Sequence, residues 1–163
     1  MAISKGDRLP DAELLRLGPD GGPESVSLGA LTKGRKAVVF ALPGAFTRTC
    51  TAAHVPSFIR TKDQFAEKGV DPIICIAVND PFVMGAWAEA TGAKEAGIHM
   101  LGDADGAFTR AVGMAFDAPP VGFHGRSKRY AMLVDDGVVQ VIHEEEGPGT
   151  CDASGGEALL REV

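Results

Sequence analysis

The chain has 163 residues, of which 45% are hydrophobic and 23% charged, with a net charge of −6 and a pI near 5.2. This balance belongs to ordinary globular proteins and excludes collagen, coiled coil and general disorder. A nucleic-acid surface is not expected, because phosphate binding needs clustered Lys and Arg and the densest cluster is the short Arg126-Ser127-Lys128-Arg129. Aromatic residues, at 6%, are too few for a base-stacking platform.

No segment approaches the ~20 apolar residues that span a bilayer, and the first residues lack the apolar core of a secretory signal. The expected setting is cytoplasmic, or an organelle after removal of a transit peptide not present in this chain. Cys50, Cys75 and Cys151 are too few and too dispersed for a disulfide scaffold. Residues 1–163 are expected to form a single domain.

In chain order, residues 12–17 and 25–28 flank the turn-rich Gly18-Pro19-Asp20-Gly21-Gly22-Pro23 and read as a hairpin or loop. Residues 37–42 form an apolar run stopped by Pro43-Gly44, the pattern of a buried strand. A helical stretch follows over 49–67. It contains Pro56, which must kink or split it, and Gly69 closes it as a C-cap. Residues 73–78 predict a second buried strand, and Asn79-Asp80-Pro81 starts a helix to about Ala90. A short strand at 98–101, a short helix at 107–114 and a strand pair, 130–134 and 138–142, around Asp135-Asp136-Gly137 come next. A last helix is expected at 157–162. Buried apolar strands joined by helices imply a parallel core, and the late hairpin adds antiparallel strands. The expected fold class is therefore α/β, a three-layer sandwich with a mixed central sheet.

Several chemistries fall away. Gly29-x-x-x-x-Gly34 precedes a strand and lacks the Lys-Ser/Thr of a phosphate loop. The only close Cys/His pair is Cys50 and His54, short of four zinc ligands. No Gly-x-Ser-x-Gly elbow is present. No metal and no cofactor are expected.

The informative stretch is Pro43-Gly44-Ala45-Phe46-Thr47-Arg48-Thr49-Cys50, between a strand's carboxyl end and a helix start. Ligands of open α/β sheets bind at such ends. A cysteine in a helix's first turn meets the positive end of the dipole and free N–H groups, which favour thiolate. Thr47 can offer its hydroxyl to the sulfur or to an incoming oxygen, and Pro43 can shield the pocket. Cys75, inside an apolar strand, reads as a small hydrophobe. Cys151 lies among Gly and small polar residues, the composition of an exposed, mobile loop. His54, one helical turn after Cys50, can act as a base or help hold the pocket. Arg129 opens a strand and can reach the pocket, or can belong with Arg126 and Lys128 to a solvated basic corner. Trp87, Phe46, Phe58, Phe65 and Phe82 read as packing residues.

These residues resemble the peroxiredoxins, specifically the type II (peroxiredoxin-five-like) group. Pro43, Thr47 and Cys50 match the pattern Pro-x-x-x-Thr-x-x-Cys, and His54-Val55-Pro56-Ser57-Phe58, Asn79-Asp80-Pro81-Phe82 and Ala86-Trp87 are similar further on. The resemblance covers nearly the whole chain. It implies a thioredoxin-like fold and a thiol peroxidase that reduces hydrogen peroxide and alkyl hydroperoxides. Cys50 would be the nucleophile, assisted by Pro43, Thr47 and Arg129, and a sulfenic acid the intermediate. Glutaredoxin/glutathione or thioredoxin would be the reductant, and a homodimer the assembly. Some members place a resolving cysteine in the region of Cys151, and others lack it. Arg48 departs from the proline common in relatives, which alters loop stiffness and local charge. A Cys50–His54 hydrolase and a non-catalytic redox sensor are the competing readings of the same residues.

Overall fold

A computed structural model describes residues 2–163. The two apolar runs become the central strands β3 (Lys36–Ala41) and β4 (Val70–Ala77), paired in parallel, with β5 (His99–Gly102) parallel to β4 on its other side. β1 (Glu13–Leu17) and β2 (Pro23–Ser27) form the early hairpin, and β1 meets β5 antiparallel. Beyond β3 lie β8 (Tyr130–Asp135) and β9 (Val138–Glu144), both antiparallel, joined through Asp136 and Gly137 with left-handed φ of 49° and 79°. The seven-stranded order is β2-β1-β5-β4-β3-β8-β9, so the sheet is mixed.

Both faces of this sheet are covered, which is why its middle strands are apolar throughout rather than alternating. Val38, Phe40, Cys75 and Ala77 face one layer with Val55, Phe58 and Phe65 of α2 (Val55–Glu67), Met84 and Trp87 of α3 (Pro81–Thr91), Ala93 of the short α4 (Ala93–Ala96) and Leu159 of α6 (Gly156–Leu160). Val39, Ala41, Ile74 and Ile76 face the other, with Leu28 of α1 (Leu28–Thr32) and Phe108 of α5 (Ala107–Ala111). Odd and even positions thus feed separate cores, as the period of two requires. The three-layer α/β sandwich with a mixed sheet is the thioredoxin-like arrangement expected.

The stretch 49–67 is helical as expected and is divided just before Pro56: a π-helical turn, Cys50–His54, runs directly into α2, whose first turn holds the proline. Several local expectations are corrected. Ser27 caps α1 by accepting from Ala30 N, so the chain turns helical at Leu28 instead of extending the strand. α5 ends at Ala111, short of Met114, and α6 starts at Gly156 and stops at Leu160. A second, two-stranded sheet of β6 (Ala115–Ala118) and β7 (Phe123–Ser127) had no legible pattern. Phe46 and Phe82 are exposed, at 56% and 59%, rather than core. Phe82 lies about 200° around α3 from buried Met84, on its outer side, and Phe46 occupies a loop with φ of 63°. No described helix is long and apolar enough to cross a membrane.

α6 packs on α2 through glycine. A methyl group on Gly156 would overlap the Ser57 carbonyl and the Thr61 hydroxyl. Gly156→Ala is therefore expected to cost about 1–3 kcal/mol of unfolding free energy through overpacking, read as a lower urea midpoint at unchanged m-value. An unchanged midpoint would mean that α6 retreats from α2 without loss.

Candidate active site

The carboxyl end of β3 leads into Pro43 and a loop fixed from two sides. Ala45 N donates to Asn79 Oδ1 at 2.9 Å, and Arg126 Nη1 donates to the Pro43 carbonyl at 2.9 Å. Arg126 comes from β7, lies over the Phe123 ring at 5.3 Å, and occupies the space a side chain at Gly44 would need. The bland solvated-corner reading is thus wrong for Arg126, which braces the loop. Only the β6–β7 hairpin puts it there, so no sequence signal announced it. Thr47 Oγ1 donates to the Gly44 carbonyl at 2.7 Å. Its one proton is committed there, so toward any further partner its oxygen accepts.

Cys50 opens the π-helical turn and is fully buried. Its sulfur meets Arg129, which sits just before β8, with the Tyr130–Ala41 pair at the adjoining end of the β3–β8 ladder. Arg129 is itself 2% exposed. Its Nη2 donates to Cys50 Sγ at 3.1 Å and to the Pro148 carbonyl at 2.9 Å, while Nη1 donates to His54 Nδ1 at 2.9 Å. Nε is the one buried side-chain donor without a partner among the described residues. A guanidinium at this distance stabilises negative charge on sulfur and is itself stabilised by it.

His54 is fully buried between Phe40 and Phe58, with ring centroids 4.9 and 5.8 Å away. Because Nδ1 accepts from the guanidinium, Nε2 carries the proton and donates to the Ser154 carbonyl at 3.0 Å. Burial, followed by the Arg129 charge, lowers its pKa to about 3. Both ring nitrogens are engaged away from the sulfur, which removes the base that a Cys50–His54 hydrolase requires. The imidazole instead orients Arg129. Trp87 does more than pack: its Nε1 donates to Thr51 Oγ1 at 3.0 Å, tying α3 to the π-helical turn.

Cys75 is fully buried, and burial pushes its thiol well up, in keeping with a small hydrophobe. Cys151 departs from expectation. It is half-buried, burial raises its thiol, and it lines a cavity of about 430 Å³ with Ala52, Ser57, Arg60 and Glu157. Cys50 does not line that cavity. The loop carrying Cys151 is anchored rather than loose: Ser154 is fully buried, and Thr49 Oγ1 donates to the Gly149 carbonyl at 3.0 Å. No metal-binding cluster of His, Cys, Asp and Glu occurs among the described residues.

A fully buried cysteine gripped by a buried arginine at a thioredoxin-like sheet end is the arrangement of a thiol redox protein. Residues 4–160 match the redoxin family. The chain is 48% identical over 162 residues to the chloroplastic peroxiredoxin-2E-2 of Oryza sativa subsp. japonica, covering 98% of this chain and 72% of that one. It superposes on reduced Prx3 in complex with H2O2 from Vibrio vulnificus with a TM-score of 0.89, at 43% identity and 98% coverage of both chains. For peroxiredoxin 5 from Alvinella pompejana the TM-score is 0.84, at 36% identity, covering 98% of this chain and 96% of that one. The chain belongs to the redoxin family, as a peroxiredoxin of the type II group, and is a thiol-dependent peroxidase.

The neutral, buried His54 has a direct consequence for stability. Its folded pKa, about 3, lies below the unfolded value of 6.5, so between these limits the unfolded chain binds one more proton at this site. Stability contributed through His54 is complete above pH 6.5 and falls as pH drops toward 3, by up to about 1.4 kcal/mol per pH unit. His54→Asn is expected to flatten the slope of unfolding free energy between pH 6 and 4 relative to wild type. Equal slopes would mean that the imidazole is not held neutral.

Proposed function

We propose that Cys50 is the nucleophile that reduces hydrogen peroxide and alkyl hydroperoxides, with Arg129, Thr47 and Pro43 completing the site. The observation that carries this reading is the 3.1 Å contact between Arg129 Nη2 and Cys50 Sγ inside a buried site. The thiolate attacks the terminal peroxide oxygen, the O–O bond breaks, and the departing alkoxide or hydroxide takes a proton to leave as alcohol or water. Cys50 becomes a sulfenic acid.

Each neighbour has a defined part in that step. Thr47 Oγ1, its proton held by the Gly44 carbonyl, accepts from the hydroperoxide O–H. Arg129 supplies the unpartnered Nε and the shared Nη2 to oxygens on which charge develops. An unsatisfied buried donor costs about 1–3 kcal/mol in the resting protein, and a substrate oxygen would remove that cost. Pro43, whose carbonyl is held by Arg126, fixes the wall of the pocket without offering an N–H that would compete for the sulfur. The Vibrio vulnificus relative, in its complex with H2O2, supports peroxide as the ligand class.

The sulfenic acid is then reduced through Cys151 or directly by an external thiol, and glutaredoxin/glutathione or thioredoxin closes the cycle. Cys151 faces its own cavity and its loop is bonded to Thr49 and Arg129, so the route through Cys151 requires this loop to give way. A homodimer is the assembly expected of the group. The rice relative is named chloroplastic and an Arabidopsis thaliana relative, peroxiredoxin-2F, mitochondrial; an organelle or the cytoplasm is the proposed setting.

Two variants test the site. Cys50→Ser is nearly isosteric but offers no thiolate. It is expected to leave the fold intact and abolish peroxide-dependent NADPH consumption in a coupled assay. Arg129→Met keeps much of the stem and removes the charge, and should slow the peroxide step by roughly 10²–10³-fold in stopped-flow kinetics. Unchanged peroxide kinetics in Arg129→Met would remove the arginine from the mechanism, and turnover in Cys50→Ser would overturn the assignment altogether.

A further inference from the structure

The loop after β9 returns to the active site through bonds that converge on one carboxylate. Glu145 Oε2 accepts from Asp152 N at 2.8 Å, from Ser154 N at 2.6 Å and from Ser154 Oγ at 2.6 Å. Its own backbone N donates to the Arg129 carbonyl at 3.0 Å, which fixes Glu145 to the start of β8. The loop thus begins and ends on the same side chain, with Cys151 directly before the first donor, Asp152.

This closed loop also touches the groups around Cys50. Pro148 and Gly149 accept from Arg129 Nη2 and Thr49 Oγ1 at 2.9 and 3.0 Å, and Ser154 accepts from His54 Nε2 at 3.0 Å. Around the outside, His143 Nδ1 donates to the Ala153 carbonyl at 2.8 Å. Cys151 meanwhile lines its cavity against Ser57, Arg60 and Gly155 rather than the Cys50 pocket. For its sulfur to reach Cys50, the segment between Gly147 and Ser154 must leave these positions.

We propose that Glu145 is a positioning residue that latches the Cys151 loop and thereby sets the rate at which Cys151 resolves oxidised Cys50. This rests on the reading of Cys151 as the resolving thiol. The step it controls is the condensation of Cys50–SOH with Cys151–SH, in which an S–S bond forms, the S–O bond breaks, and the hydroxyl leaves as water with the thiol's proton. Glu145 touches neither sulfur. It controls how often the loop is released, because all three donors lose their acceptor together. Its carboxyl suits an ionised acceptor: burial alone would raise its pKa, but the hydroxyl and amide donors of Ser154 and Asp152 outweigh burial and lower it.

The experiment compares wild type, Glu145→Ala, Glu145→Gln, Ser154→Ala and Cys151→Ser in two measurements. In the reduced protein, alkylation by N-ethylmaleimide is followed at each cysteine by mass spectrometry. After one equivalent of peroxide, appearance of the Cys50–Cys151 disulfide is followed in quenched samples. Loss of hydrogen bonds to a charged acceptor is worth roughly tenfold or more in the opening equilibrium. Glu145→Ala should therefore raise both the Cys151 alkylation rate and the disulfide rate by about tenfold. Glu145→Gln, which keeps an acceptor, should lie between it and wild type, and Ser154→Ala should move both rates in the same direction. Fully buried Cys75 is the internal control and should stay unreactive; if it reacts in Glu145→Ala, general unfolding is at work and the latch is overturned unless Ser154→Ala exposes Cys151 alone. Equal Cys151 alkylation in wild type and all latch variants overturns the proposal. Faster alkylation with no disulfide in any variant, and Cys151→Ser turning over like wild type, overturns instead the resolving role and with it the control of resolution.

Discussion

Burying a guanidinium is the constraint around which this site is organised. Arg129 is almost without solvent, and a charged group removed from water is tolerable only where partners replace the hydration it loses. The protein supplies Cys50 Sγ and His54 Nδ1 from the π-helical turn and the Pro148 carbonyl from the loop after β9. Removing one partner from a buried charge typically costs ~3–5 kcal/mol, so geometry around Arg129 is enforced by stability as well as by chemistry. His54 is kept neutral first by its burial and then by the same arginine that it orients. A protonated imidazole beside the guanidinium would set two like charges in a low-dielectric site.

The sheet makes this convergence possible. β3 delivers the Pro43 loop and the π-helical turn at its carboxyl end, and β8, antiparallel beside it, delivers Arg129 at its amino end. Antiparallel neighbours bring opposite chain ends to one edge, so two residues 79 apart in sequence meet at the sulfur. The π-helical turn also matters. It keeps Cys50 and His54 on connected backbone and widens the helix just before Pro56, whose ring cannot continue a regular α-helical ladder.

The fold was largely legible because its determinants are local: two apolar runs, a Pro-capped helix start and an Asp-Gly hairpin each act within a few residues. The strand-end position of Pro43, Thr47 and Cys50 was legible for the same reason. What could not be read were partnerships across long sequence distance. His54 looked like a potential base because spacing places it near Cys50. Its actual tautomer is dictated by Arg129 and by Ser154, 100 residues away. Arg126 looked like a solvated charge because the β6–β7 hairpin that aims it at Pro43 is short and carries Pro119-Pro120 between its strands. The Gly-rich composition around Cys151 suggested mobility, since composition records backbone freedom and says nothing of the acceptors that remove it. Glu145, flanked by Glu144 and Glu146, was indistinguishable from a solvated acidic run until the fold folded the loop back over it.

In the proposed cycle, these contacts tie the chemistry of the sulfur to the loop. The thiolate that attacks peroxide in this cycle would balance the guanidinium beside it. Once the sulfur carries a hydroxyl it is uncharged, and Arg129 is left with only neutral acceptors, His54 and the Pro148 carbonyl. The unbalanced positive charge favours approach of an anionic sulfur, which is the form a reducing thiol must take to attack. For Cys151 that form is suppressed while it sits half-buried in its cavity, where burial raises its thiol. Release of the loop would therefore do two things in one motion, freeing Cys151 from the environment that keeps it protonated and removing the carbonyl that helps hold Arg129. On that proposal the packing that raises the Cys151 thiol would also hold its loop against the reduced site, with the carboxylate of Glu145 joining the two.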